Sequence, residues 1–152
     1  MSCNQLIGVW KLQQWTVKGL DQQIHHPYGK DAQGYLIYTA CGFMSAHLMK
    51  NDIPTIQSES IFNVTAEEAY HLIRSYVSYC GPYNIDLARS VVIHHIEMMS
   101  VPNWIGQSEE RHFDISGDTL TIKAVLQMEH EEKHTEVIWQ RQSSRVTEFD
   151  LN

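Results

Sequence analysis

Positive charge is scarce in this sequence. Eleven lysines and arginines stand against 18 aspartates and glutamates, for a formal net charge of −7 with histidine neutral. Gripping phosphates requires a basic face, and no run of Lys or Arg supplies one locally, which argues against nucleic acid as a partner. Cysteine is scarce too. Cys3, Cys41 and Cys80 are odd in number and show no paired spacing, which argues against a disulfide scaffold and a structural zinc site. No apolar run approaches the ~18 residues of a membrane span. The N-terminus, MSCNQLIGVWKLQQW, has no basic stretch followed by a long apolar core, so a cytoplasmic, reduced protein is expected. Also missing are a G-x-S-x-G nucleophile elbow and phosphate-loop or dinucleotide fingerprints. Internal repeats, linkers and low-complexity segments are absent as well.

What the chain does have is 152 residues, enough for one domain of ordinary size, with its core expected over about 6–142. Four tryptophans and seven tyrosines supply large apolar bodies with polar tips, which suits a pocket for a mostly apolar ligand. Most of the sequence alternates with the two-residue period of strands. In residues 6–18, Trp10, Leu12, Gln14 and Thr16 share one face, and Val9, Lys11, Gln13, Trp15 and Val17 share the other. Residues 34–50 read as two strands flanking a turn at Thr39-Ala40-Cys41-Gly42, where glycine supplies a permissive backbone. Further strands are expected over 83–87, 90–99, 109–115, 119–127 and 135–142, with Ser116-Gly117-Asp118 as a hairpin turn and 128–134 as a polar loop or ragged strand ends. One helix is expected over about 65–80. Thr65 and Glu68 form a capping box; Ala69, Leu72, Ile73, Tyr76 and Tyr79 make an apolar stripe, and Gly81-Pro82 ends it. The fold class is therefore mainly all-β. About eight antiparallel strands with one inserted helix point to a closed barrel, which removes sheet edges and can enclose one small ligand.

The words LIGVWKLQQW, GYLIYTACGFMSAHLM, TAEEAYHLIRSYVSYCGPY, VIHHIEMMSVPNWIG, RHFDISGDTLTI and VIWQR occur in an order and spacing that resembles the lipocalin-like domain family, short barrel proteins of bacteria and fungi. The resemblance runs from about Leu6 to Arg141. It implies a calycin-type barrel with a ligand cavity. Gly8-Val9-Trp10 matches the family's G-x-W on the first strand, and Arg141 matches the arginine that packs across that tryptophan at the barrel base. Both are read as structural, a guanidinium over an indole face. His47 stands where the family usually has a glutamine. Related barrels include carriers, but also cyclases and isomerases of natural-product pathways, so the chemistry is left open by the fold.

The stretch SVVIHHIEMMSVPNWIG carries the leading candidate. Alternation sends His94 to the face of Val92 and Ile96, and His95 to the other. An inward His94 is either a general acid/base or a core histidine satisfied by a neighbouring tyrosine or backbone group. Arg111 shares a face with Phe113 and Ile115. Its acceptor inside the barrel is either a ligand oxygen or a carboxylate such as Glu97 or Glu109. Tyr38 and Tyr83 are strand tyrosines that either meet the ligand or simply pack; Tyr76 and Tyr79 are placed on the helix, on the lid side. His47 shares a face with Phe43, Ser45 and Met49, and the opposite face, Met44, Ala46 and Leu48, looks more like packed core. Gln14 follows Trp10 on one face, as a polar contact higher in the cavity. Trp104 either caps the barrel mouth or pins a loop corner.

Nine histidines raise the question of metal. His94-His95 and His25-His26 are adjacent and diverge on a strand, His130 and His134 lie in a solvated segment, and no cluster offers three converging ligands. Neither a metal nor a cofactor is therefore expected. The reading is a small-molecule site in the barrel, with His94, Arg111 and Tyr83 catalytic and Gln14, Tyr38, His47, Tyr76 and Trp104 lining the ligand. The leading activity is a cofactor-free cyclase or isomerase of an apolar natural-product intermediate. The alternative is a non-catalytic carrier or sensor of a hydrophobic metabolite. No membrane partner is expected. The oligomeric state is left open, a homodimer included.

Overall fold

The computed structural model describes residues 5–128 and 130–143. In chain order the elements are β1 (Gly8–Lys18), β2 (Ile24–His25), β3 (Gln33–Tyr38), β4 (Phe43–Met49), α1 (Ala66–Ile73), β5 (Tyr76–Asp86), β6 (Val91–His95), β7 (Met98–Met99), β8 (Ser108–Ser116), β9 (Thr119–Met128) and β10 (Glu131–Arg141). The sheet runs β10-β9-β8-β6-β5-β4-β3-β1, and β1 pairs back onto β10. Eight antiparallel strands therefore form a closed barrel, while β2 and β7 are short additions on β1 and β5. Closure pairs every long strand on both sides and leaves no open edge.

Alternation explains most of the core. In β4, Met44, Ala46 and Leu48 are buried while Ser45 and His47 are not. In β8, Phe113 is buried, and Glu109, Arg111 and Ile115 are partly so, with polar residues between them. Trp10, Tyr38, Leu36, Val92 and Leu120 are almost wholly excluded from solvent. At the base of the barrel the Arg141 guanidinium lies 4.0 Å from the Trp10 ring centroid. Its Nη1 donates to the carbonyl of Ile7 at 3.0 Å and its Nη2 to that of Gln5 at 2.6 Å. The Trp10 indole N–H donates to the Leu6 carbonyl at 2.8 Å. The arginine thus ties the N-terminal approach across the tryptophan.

Three local departures from simple periodicity matter for the site. The first is in β1, whose register with β10 slips between Leu12 and Gln14. Gln13 is the extra residue of a bulge. A one-residue slip turns every later side chain to the other face. Trp10 and Leu12 point inward, but beyond the bulge the inward residues are Trp15 and Val17; Gln14 is exposed. The second is the helix. The capping box is present, with Glu68 also accepting from Gln57 N–H and from Ser58 N–H and Oγ. These bonds hold its carboxyl down at about 2. The helix nevertheless ends at Ile73, not near residue 80. Tyr76–Pro82 instead pair along the whole of β4, Met49↔Tyr76 to Phe43↔Pro82. The tyrosine spacing fits a helix or a strand, and a ladder completing the barrel satisfies the backbone on both sides. Gly81 makes room here: a Cβ at that position would lie 1.8 Å from the His95 carbonyl oxygen. The third is the segment over 128–134, expected as a polar loop or ragged strand ends and found as the latter. β9 runs to Met128 and β10 begins at Glu131, so the paired strands carry Glu131 and Lys133 to the cavity.

Candidate functional site

A cavity of about 850 Å³ opens at the end of the barrel opposite Trp10 and Arg141. Its wall comes from inward residues of six strands: Trp15 and Val17 of β1, Leu48 of β4, Val77 and Tyr79 of β5, Arg111 of β8, Leu126 of β9, and Thr135 and Val137 of β10. The covering segments contribute Leu20, Pro27 and Tyr28 from the β1–β3 connection, Ile73 from α1, and Met99, Val101 and Trp104 from the region around the 3-10 turn Pro102–Trp104. The Trp15 and Tyr28 rings meet edge to face at 5.1 Å. The Trp15 indole N–H donates to Thr135 Oγ1 at 2.9 Å, and that hydroxyl donates to the Thr16 carbonyl. Charge collects at the rim, as Asp21, His25, Glu131 and Lys133. His25 Nε2 lies 3.2 Å from Asp21 Oδ2, and a backbone hydrogen bond from Gln23, then His25, holds the Asp21 carboxyl below its usual range.

Below the wall lies a buried polar chain. His94 sits on β6 between Val92 and Ile96 on the inward face and is 1% exposed. Its Nε2 is 2.7 Å from the Tyr38 hydroxyl, and its Nδ1 is 3.0 Å from the Tyr79 hydroxyl. Both ring nitrogens are therefore occupied by phenols, neither by a carboxylate. Burial first, then the Arg111 charge, then His95, push the His94 pKa down to about 3. Burial also raises the Tyr38 phenol well above its usual value, and it raises Tyr79, with Arg111 pulling the other way. The Arg111 charge acts on the Tyr79 hydroxyl, and both residues line the cavity. Arg111 Nη1 pairs with Glu109 Oε2 at 3.1 Å and donates to the Glu110 carbonyl. Hydrogen bonds thus link Tyr79, His94 and Tyr38, and the Glu109–Arg111 pair places its charge on Tyr79. Only Arg111 and Tyr79 of these five line the cavity.

The structure brings some expected residues together and separates others. His94 and Arg111 face inward as alternation requires, and the arginine meets Glu109, one of the two carboxylates anticipated. His94, however, touches tyrosines and not the cavity. Tyr38 is its partner, buried at the base side. Tyr83 donates its hydroxyl to the Thr39 carbonyl at 2.8 Å and packs its ring on Tyr38 at 4.9 Å, away from the cavity wall. Gln14 is turned outward by the β1 bulge, so the contact expected of it is corrected. His47 lies on the outer face of β4, bonded to Ser45 Oγ at 2.8 Å and to the Tyr76 hydroxyl, and is not a cavity residue. Tyr76 stands on β5 and not on a helix, and reaches the cavity at its mouth. Trp104 lines the mouth from the 3-10 turn. His95 faces outward, held by Ser108 and Asn84. The residues that sequence reasoning misplaced are Trp15, lost to the bulge, and Tyr79, lost to the helix reading. The tandem Gln13-Gln14 between Leu12 and Trp15 breaks the alternation and is the signal for the bulge. Among the described residues no three His, Cys, Asp or Glu side chains converge as metal ligands. Likewise no helix there is long and apolar enough to cross a membrane.

A closed barrel with a ligand-sized cavity at one end and a Trp–Arg closure at the other defines a barrel of lipocalin type. The model of the lipocalin-like domain matches residues 7–142, and the chain belongs to that family. It is 36% identical over 88 residues to a protein of Aspergillus oryzae named 4'-hydroxy-3'-methoxypropiophenone carrier protein ppsC, covering 54% of this chain and 79% of that one.

Proposed function

We propose that the protein is a non-catalytic carrier of an apolar, aromatic small molecule. The observation that carries this reading is the placement of His94. A general base must reach the proton it takes. This ring has both nitrogens engaged by tyrosines and stands off the cavity wall. The wall itself is mostly aliphatic and aromatic, and about 850 Å³ falls within the usual range of small-molecule sites, roughly 300–1,000 Å³. The Aspergillus oryzae relative, named as a carrier of an aryl ketone, is consistent with such cargo. The test is a fluorescence titration with that aryl ketone. Trp15 and Trp104 line the cavity, so cargo quenches or shifts their emission, and Trp15→Phe removes much of the change. An unchanged titration in Trp15→Phe and Trp104→Phe would place the ligand elsewhere and sink the reading.

A second reading, a cofactor-free cyclase or isomerase, rests on Arg111 and Tyr79 standing together on the wall. Two aimed donors can polarise a carbonyl as well as hold one. Ligand recovered from the protein as an isomer, with formation lost in Tyr79→Phe, would favour it.

A further inference from the structure

The buried tyrosine–histidine chain fixes which way its hydrogen bonds run, and this determines what the cavity can recognise. A neutral imidazole has one N–H donor and one lone-pair acceptor. His94 is held neutral by burial, with the Arg111 cation nearby and no carboxylate against either nitrogen. Tyr38 is 1% exposed, and among the described residues the one hydrogen-bond partner of its hydroxyl is His94 Nε2. A phenol proton buried there without an acceptor would cost its full desolvation. Tyr38 therefore donates and Nε2 accepts. The imidazole proton must then sit on Nδ1 and be donated to Tyr79 Oη. The Arg111 charge bears on that oxygen as well. The hydroxyl proton of Tyr79 is left over, on a residue that lines the cavity.

We infer that Tyr79 presents its O–H, beside the Arg111 guanidinium, as a donor-only end of the cavity wall, which selects cargo carrying a buried hydrogen-bond acceptor such as a ketone carbonyl. Thr135, the neutral polar neighbour on that wall, is already committed to Trp15 and Thr16. The carbonyl of a bound ligand sits at Tyr79, and its apolar remainder lies along Trp15, Val77 and Val137. Tyr38 and His94 act as positioning residues: they never meet the cargo, but they set the direction of the Tyr79 proton. This assignment rests on the carrier reading for its ligand, although the hydrogen-bond direction is independent of it.

Two measurements test it. Nitrogen-15 correlation spectra of the histidine rings should show His94 as the Nδ1–H tautomer, the opposite of the form that dominates in free histidine; an Nε2–H ring would overturn the assignment. In parallel, 4'-hydroxy-3'-methoxypropiophenone is compared with its analogue in which the carbonyl is reduced to a methylene. The wild-type protein should prefer the ketone by about tenfold, the worth of one made rather than unmade hydrogen bond, and Tyr79→Phe should cut the preference to about twofold. An unchanged preference in Tyr79→Phe would also overturn it. Should neither compound bind while the Nδ1–H tautomer is found, the carrier reading fails and the assigned donor direction stands.

Discussion

Acidification should destabilise this barrel through His94 before most of its carboxylates titrate. The folded pKa of His94 is lowered from 6.5 to about 3, so between those values the unfolded chain binds a proton that the folded chain refuses. Stability from this group is fully present above about pH 6.5 and is lost as pH falls toward 3. At about 1.4 kcal/mol per pH unit, the loss on going from pH 7 to pH 5 is about 2 kcal/mol. The cross-strand partner of His94 is a carboxylate, Glu109, but it is paired with Arg111 at 3.1 Å, and the ring nitrogens meet the Tyr38 and Tyr79 phenols. The control is His94→Gln, whose amide keeps one donor and one acceptor for the two phenols but has no proton to take. Urea midpoints and m-values are measured for both proteins at pH 7, 6 and 5. The variant should be less stable at pH 7, and its deficit should shrink by about 2 kcal/mol at pH 5. Parallel stability curves would show that His94 titrates near its ordinary value and would refute the buried, phenol-locked ring.

Other perturbations have equally direct outcomes. Arg141→Ala should cost about 3 kcal/mol in chemical denaturation, from the lost indole contact and two charge-assisted hydrogen bonds, and Arg141→Lys should recover less than half of it, since a point charge cannot serve ring and carbonyls together. Gly81→Ala should lower the midpoint by at least the equivalent of about 3 kcal/mol, because the new methyl group meets the His95 carbonyl; a neutral result would mean that the two strands part easily. Deleting Gln13 should remove the bulge and leave Trp15 and Val17 facing the cavity, because Gln14 then follows Leu12 in regular alternation, so ligand-dependent tryptophan fluorescence should survive; its loss would show that Gln13 is not the extra residue.

The barrel was legible because its strands alternate cleanly and its turns carry glycine. Met44, Ala46 and Leu48 against Ser45 and His47 is one example, and Glu109, Arg111, Phe113 and Ile115 against their neighbours is another. The inward direction of His94 followed from the same rule. The site was less legible, for three physical reasons. A bulge adds one residue without changing composition, so Gln14 and Trp15 exchanged faces with only the doubled glutamine to show it. A Tyr-x-x-Tyr spacing satisfies a helix as well as a strand, and the barrel's need for β5 decided between them. The partners of a histidine on a closed sheet come from strands far away in sequence. Tyr38 is 56 residues from His94 and on no neighbouring strand, so its bond to the ring could not be read from local pattern.

The central claim is that the cavity holds a small aromatic molecule and returns it unaltered. Native mass spectrometry of the wild-type protein incubated with 4'-hydroxy-3'-methoxypropiophenone, followed by denaturation and chromatography of the released compound, tests it directly. A carrier gives a complex with one ligand per chain and releases the ketone unchanged. No complex at saturating ligand, or recovery of an isomer, would contradict the claim.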